Sequence, residues 1–360
     1  MKILNKGIVG RNEGSIFPYQ AWPTVAKDEN GVLYVVASGH RLGHVCPFGK
    51  NIMYKSYDNG NTWTSPMIIN DTCLDDRDAG ITYLGNGKIL VSFFKHPASV
   101  YESQEFKEYI ERFVPKNYQQ MALCAINQYK TYTEEQKAGG SFVIFSEDYG
   151  NTWSKPIKLP ISAPHGPTLA KDGSLLYVGN EMYSCGEISN ETTWFYKSLD
   201  CGKTWNKVSA ISNPDWLNEN ELLVEPHVIE IEKDFLLSAF RIEGRFGIGT
   251  SISKDGGKTW EKVVDTGIKG SPPHLYKSSN GMILMSYGKR VDAKEERVAI
   301  SCDNGKTWEK DFLLNSVKNP DMGYTSTVEL DNGEFLSVYY DRYIDDSFAS
   351  ILYTKWKIEK

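Results

Sequence analysis

Six short segments carry most of the side chains that could do chemistry. They are FPYQAW (Phe17–Trp22), DDRDAG (Asp75–Gly80), APHGP (Ala163–Pro167), VEPH (Val224–His227), SPPH (Ser271–His274) and MGYTS (Met322–Ser326). Between them they hold Gln20, Asp75, Asp76, Arg77, Asp78, His165, Glu225, His227, His274 and Tyr324. Carboxyls, imidazoles and a phenol can hold or move protons, and an amide and a guanidinium can bind polar groups. Gathered in one place, such groups would form a site for acid–base chemistry on a polar substrate. For any single histidine the alternative is a structural hydrogen bond beside its proline. The decision rests on whether the fold brings the six segments together.

The elements that follow them suggest that it does. Each segment leads into a strand-like run, a turn and a second run, as in PTVAKDENGVLYVVAS from Pro23, GITYLGNGKILVSFF from Gly80 and STVELDNGEFLSVYY from Ser326. Similar copies begin at Pro167, His227 and His274. β-Branched and aromatic runs around Asn-Gly or Asp-Gly turns read as hairpins. Five of the six hairpins are followed by S-x-D-x-G-x-T-W: SYDNGNTW at Ser56, SEDYGNTW at Ser146, SLDCGKTW at Ser198, SKDGGKTW at Ser253 and SCDNGKTW at Ser301. Glycine supplies the positive φ of a tight turn, Ser, Asp and Thr bond the turn's own backbone, and Trp brings apolar surface. The box therefore reads as a joint built five times, with no chemistry of its own. Units of roughly fifty residues match four-stranded propeller blades, and six units give an all-β, six-bladed β-propeller spanning residues 1–360. The N-terminal KILNKGIV is expected to pair into the last blade and close the ring, because an open sheet edge invites aggregation. One stretch, 98–139, is charged and helix-prone. It interrupts the second blade and is expected either to pack on that blade or to border the pocket as a lid.

The box is the Asp-box, or BNR repeat, and the chain resembles the sialidase-like superfamily over essentially its whole length. The resemblance implies an exo-glycosidase that removes a terminal, acidic sugar from a glycoconjugate or oligosaccharide. It implies a Tyr nucleophile activated by a Glu, three arginines clamping the substrate carboxylate, and an Asp as acid/base. By this resemblance GYTS gives Tyr324 as nucleophile, VEPHVIEI gives Glu225 as its base, and SAFR gives Arg241 as one clamp arginine. Arg297 in EERVAIS fits the place of another, with Arg290 in GKRV as competitor. Two positions depart from the pattern. Gln20 in PYQAWP stands where an arginine belongs, and the loop GHRLGHVCPFGKN after the first hairpin has no carboxylate. Asp76 or Asp78 could supply the acid and Arg77 the missing guanidinium. Arg41 and His44 on that loop are further candidates, His44 as a proton donor because an imidazole titrates near neutrality.

The bulk composition narrows the partners. Forty basic against 46 acidic residues leave a formal charge of −6, with no basic cluster for nucleic acid. There is no apolar run long enough to span a membrane and no signal-like start, so the chain reads as cytoplasmic. Cys46, Cys73, Cys124, Cys185, Cys201 and Cys302 are scattered without a C-x-x-C pair, which argues against zinc. Asp75, Asp76 and Asp78 lack the spacing of a calcium loop, so neither metal nor cofactor is expected. The expected partner is a carbohydrate. Two other readings fit the same fold: a glycosidase or polysaccharide lyase of different specificity, or a non-catalytic carbohydrate-binding propeller. A binding propeller would need an aromatic platform, for which Tyr19, Trp22, Tyr183 and Trp194 are the candidates.

Overall fold

The computed structural model describes residues 1–181 and 189–359; Tyr183 and Cys185 lie outside them. Six four-stranded antiparallel sheets follow one another around a central channel. Their inner strands are Tyr19–Lys27, Asp76–Gly85, Thr168–Leu169, Leu222–Glu232, Ser271–Lys277 and Gly323–Glu329. Lys2–Gly10 pairs antiparallel with Ala349–Lys357 and supplies the fourth strand of the last blade, so the ring closes on its own N-terminal strand. The core is laid down between blades. One cluster joins Trp22, Val35 and Tyr54 of blade 1 to Val338, Ile351 and Tyr353 of blade 6.

The boxes are turn joints, as their residue types imply. In the first, Asp58 accepts from the Thr62 amide (2.9 Å) and hydroxyl (2.6 Å), and Ser56 Oγ accepts from the Gly60 amide at 2.8 Å. The same set recurs at Asp148, Asp200, Asp255 and Asp303. The box tryptophans are half-buried, packed against core clusters at the blade edges.

The insertion forms helices Ala98–Glu102, Gln104–Phe113, Lys116–Gln128 and Glu134–Lys137. Tyr101, Phe106, Ile110, Ala122, Ile126 and Tyr129 make a small core of their own. That core packs on Leu42, Val45 and Phe48 of the loop following the first hairpin, and on Cys73 and Leu74. The helices therefore buttress two mouth loops from the side. Among the described residues, no helix is long and apolar enough to cross a membrane, and no cluster of His, Cys, Asp or Glu could hold a metal ion.

Candidate active site

Five inner strands break register close to where they enter the channel. The breaks fall at Ala21/Thr24, Arg77/Gly80, Val224/His227, Ser271/His274 and Gly323/Ser326. In four of them the residue inside the bulge has positive φ: Trp22 (56°), Asp78 (46°), Glu225 (48°) and Tyr324 (54°). Pro23 and Pro226 contribute locally, since a proline has no N–H to give the ladder. A left-handed conformation at a non-glycine residue costs on the order of 1–3 kcal/mol and collects at functional sites, and bulges re-aim side chains there. The same device, used four times, points four chemically distinct side chains at one mouth.

Tyr324 and Glu225 meet. The phenol donates to Glu225 Oε1 in a short hydrogen bond, and the other carboxylate oxygen accepts from Arg241 at 2.8 Å. Arg241 also pairs with Glu243 at 2.5 Å. The Arg290 guanidinium stands 5.7 Å from the Tyr324 ring and donates to the Met322 carbonyl at 2.8 and 3.0 Å. Burial alone would push the Glu225 carboxyl up, but Arg241, the Tyr324 hydroxyl and Arg290 hold it below its ordinary value. Burial, then the charges of Glu225 and Asp78, push the Tyr324 phenol well above its usual range, against the pull of both arginines. A cavity of about 260 Å³ opens beside the pair, lined by Asp78, Phe94, Asn180, Glu225, Arg241 and Glu243. Glu243 was not anticipated; it sits two residues beyond Arg241 on the same strand.

Asp78 faces this cavity. Its Oδ1 is buried without a hydrogen-bond partner among the described residues. Burial chiefly, with help from the charge of Glu225, pushes its carboxyl up to about 7 against the pull of Arg77. It is therefore part protonated at neutral pH, able to donate or accept.

Its neighbours are occupied elsewhere. Asp76 accepts from the Thr72 amide and hydroxyl, both at 2.8 Å, and closes its own loop instead of meeting substrate. Arg77 donates to Asp75 (3.2 Å) and to the His44 carbonyl (3.0 Å), and its guanidinium covers the Trp22 ring at 4.2 Å. Arg41 is fully buried and clamps Asp75 at 2.5 and 2.8 Å. Arg41 spends its donors on Asp75 and the loop carbonyls, while Arg77 bonds Asp75 and the His44 carbonyl through Nη1 and leaves its buried Nε without a partner among the described residues. Gln20 is buried too and accepts from Tyr54 Oη at 2.5 Å. Arg297 lies on the third strand of blade 5 and bonds Glu295 (2.6 Å) and the Lys310 carbonyl (3.3 Å). Of the two competing arginines, Arg290 is the one beside Tyr324.

The three histidines are gathered, and none of them lines the cavity beside Tyr324 and Glu225. His165, His227 and His274 lie with ring centroids 4.7–5.8 Å apart beneath Tyr324, whose ring is 6.2 Å from that of His165. His227 Nδ1 accepts from the Leu275 amide at 3.0 Å and His274 Nδ1 from the Thr327 amide at 3.4 Å, so each imidazole ties its blade to the next. Burial lowers all three pKa values, that of His227 to about 3, which keeps the stack neutral. They line a separate cavity of about 330 Å³ at the far end of the channel. For His227 and His274 a structural role is in place, since a neutral imidazole is a good acceptor for a backbone N–H; His165 Nδ1 meets the Thr24 hydroxyl at 3.2 Å, and its buried Nε2 has no partner among the described residues.

At the rim stands His44. Its side chain is 45% exposed, with Nδ1 2.9 Å from Asp321 Oδ1 and 3.1 Å from Tyr19 Oη. Asp321 also accepts from the hydroxyls of Tyr19 (2.9 Å) and Tyr340 (3.1 Å). The aromatic platform of a binding propeller is not on offer among the described residues. Tyr19 and Trp22 are 4% and 2% exposed, and Trp194 is covered by the Lys207 ammonium, 3.1 Å from its ring centre.

Behind Tyr324, Glu296 is fully buried, accepts from the Thr325 hydroxyl through Oε2, and leaves Oε1 without a partner among the described residues. Burial raises its pKa to about 8. A carboxyl that binds its proton more tightly folded than unfolded stabilises the fold only while protonated. That contribution is complete below the unfolded carboxyl pKa and is lost as pH rises toward 8. Glu296→Gln, which cannot ionise, is expected to melt higher than wild type at pH 8 and alike at pH 5. A thermal scan at the two pH values checks this; an unchanged gap between them would overturn it.

The BNR repeat-like domain model matches residues 114–337. The chain belongs to that family. As a BNR repeat-like propeller it falls in the sialidase-like superfamily, and solved structures share its fold. A Dyadobacter fermentans protein of unknown function matches with a TM-score of 0.78 at 22% identity, covering 99% of both chains. The NanB sialidase from Streptococcus pneumoniae matches with a TM-score of 0.68 at 15% identity, over 98% of this chain and 70% of that one. A Trypanosoma rangeli sialidase in complex with sialic acid matches with a TM-score of 0.62 at 15% identity, over 94% and 54%. Among curated proteins, the xyloglucanase Xgh74A of Acetivibrio thermocellus is 26% identical over 184 residues. That match takes in 44% of this chain and 20% of the xyloglucanase, so the BNR repeat-like chain spans about a fifth of its relative.

Proposed function

We propose that this propeller is a glycoside hydrolase that removes a terminal sugar, with Tyr324 as nucleophile and Glu225 as its base. The observation that carries the reading is the Tyr324–Glu225 hydrogen bond, built by two strained bulges from blades 6 and 4, with Arg241 on the carboxylate's other oxygen. A phenol must lose its proton to attack, and Glu225 is the group placed to take it. Asp78, whose Oδ1 has no hydrogen-bond partner among the described residues, is positioned to hydrogen-bond a hydroxyl of the bound sugar. The cavity lies near the small end of ligand pockets, which begin at about 300 Å³, and this favours a chain end over an internal stretch of polysaccharide. The sialidase and xyloglucanase activities named for its relatives support a glycosidase. Arg241 and Arg290, the two arginines beside the Tyr324–Glu225 pair, favour a carboxylate-bearing sugar as substrate, although both also bond protein groups. A panel of chromogenic sialosides, uronides and neutral glycosides tests this, with product stereochemistry followed by NMR. Turnover with retention, best on a carboxylate-bearing glycoside, is expected; inversion or no turnover would remove the tyrosine mechanism.

A further inference from the structure

Cleavage at Tyr324 needs a second group, across the sugar from the nucleophile, that protonates the leaving oxygen and later activates water. Asp76 is closed into its loop by Thr72. Asp78 lines one cavity with Glu225, and its charge acts on both Glu225 and Tyr324, which groups it with the nucleophile and its base. We infer that His44, oriented by Asp321, is the general acid/base of this site. The inference rests on Tyr324 acting as nucleophile.

Four observations carry it. First, His44 is exposed at the mouth, whereas His165, His227 and His274 are buried. Second, its Nδ1 is committed to Asp321, which leaves Nε2 for a substrate. Asp321 is itself fixed by Tyr19 and Tyr340, one from each adjoining blade. Carboxylate, imidazole and reacting atom in line is how an enzyme sets the tautomer and direction of a histidine. Third, the His44 carbonyl accepts from both Arg41 and Arg77 at 3.0 Å, and the helical insertion backs the loop through Val45 and Phe48. An exposed histidine on an unbraced loop would be a poor proton donor; this one is held. Fourth, the His44 and Tyr324 rings both contact one indole, at 5.0 and 6.4 Å from Trp22, which ties the rim histidine to the nucleophile through a single side chain.

The chemistry balances. In the first step Tyr324 Oη bonds the anomeric carbon, its proton passes to Glu225, and the glycosidic C–O bond breaks as His44 Nε2–H protonates the departing oxygen. In the second step neutral His44 takes a proton from water. The water oxygen bonds the anomeric carbon, the bond to Tyr324 breaks, and Glu225 returns its proton to the phenol. Burial lowers the His44 pKa, Asp321 raises it, and Arg77 and Arg41 lower it; Tyr19, Tyr109 and His96 are further titratable groups close to it. The neutral form needed for water activation is thus the resting form at pH 7, and the acid step gains as pH falls.

The test uses full-length His44→Gln, Asp321→Asn, Asp78→Asn and Tyr324→Phe on aryl sialosides, uronides and neutral glycosides with leaving groups of graded pKa. His44→Gln is expected to lose about 10²–10⁴-fold in kcat/KM on the poorest leaving groups. On dinitrophenyl glycosides it should lose far less and show a pre-steady-state burst, because the second step has lost its base. Asp321→Asn should lose less and move the pH profile, as a positioning residue does, while Asp78→Asn should act through KM equally across the series. A flat loss across leaving groups in His44→Gln, with Tyr324→Phe inactive, overturns this inference and leaves the nucleophile standing. A graded loss in Asp78→Asn gives the acid role to Asp78. A fully active Tyr324→Phe removes the mechanism on which both rest.

Discussion

Tyr324→Phe is expected to reduce kcat by about 10⁴-fold or more, and Glu225→Gln by a similar factor, with the double variant little worse than either. Residues that act as one unit lose their function together, so their effects do not multiply. The fold should survive. Phenylalanine keeps the ring contacts to Trp22 and His165 and loses only the hydroxyl that Glu225 accepts. Steady-state kinetics on a wild-type substrate, with circular dichroism to confirm folding, measures this. A double variant whose loss is the product of the single losses would show that the two groups act independently.

In the proposed mechanism, the raised phenol pKa would require the pair to work together. Tyr324 is buried beside two carboxyls, which oppose a free phenolate. Deprotonation ahead of attack would place a third negative charge in the same small volume. Transfer to Glu225 as the bond to carbon forms avoids that state. Arg241 and Arg290 then balance a charge that has moved without increasing. The low Glu225 pKa is no obstacle, since the proton is needed there only until the second step returns it.

The sequence makes the ring legible because its signals are local. A hairpin shows its period and its turn within fifteen residues, and the box shows its whole hydrogen-bond set within seven, Ser56 to Thr62. Tyr324, Glu225 and Asp78 are legible for a related reason: each stands just before an alternating apolar run, where a strand must leave the ladder to enter the channel. Reading ends where residues meet across the ring. Asp321 is one position before the segment MGYTS, and its partner His44 is 277 residues away. Arg290 and Arg297 look equivalent until the strand register puts one at the mouth and the other on the third strand. The histidines of blades 4 and 5 share the address of Tyr324 and Glu225 and turn to backbone amides of the next blade, which depends on bulge geometry that no spacing reveals.

Asp75 shows how stability and site are joined, and its removal is expected to have the largest structural effect of any single substitution near the mouth. The carboxylate is fully buried between Arg41 and Arg77 and also accepts from Tyr101 of the insertion at 2.8 Å. Burial would raise its pKa, but the two guanidiniums hold it below the ordinary value, so it stays charged. Its stabilising contribution is complete above the unfolded carboxyl pKa and is lost only as pH falls through the lower, folded one, well below neutrality. Asp75→Ala leaves two buried cations without a counter-charge, a change that costs about 3–5 kcal/mol. Tyr101→Phe removes one hydrogen bond to a charged group and is expected to cost about 1.5–3 kcal/mol. Thermal or urea melts of both variants rank them: Asp75→Ala should fall well below Tyr101→Phe, and equal midpoints would mean that the arginines find other partners. The same melts bear on catalysis, because Arg41 and Arg77 grip the His44 carbonyl. At a temperature where it is still folded, Asp75→Ala should lose activity chiefly on poor leaving groups, as His44→Gln does, since both variants unseat the same imidazole.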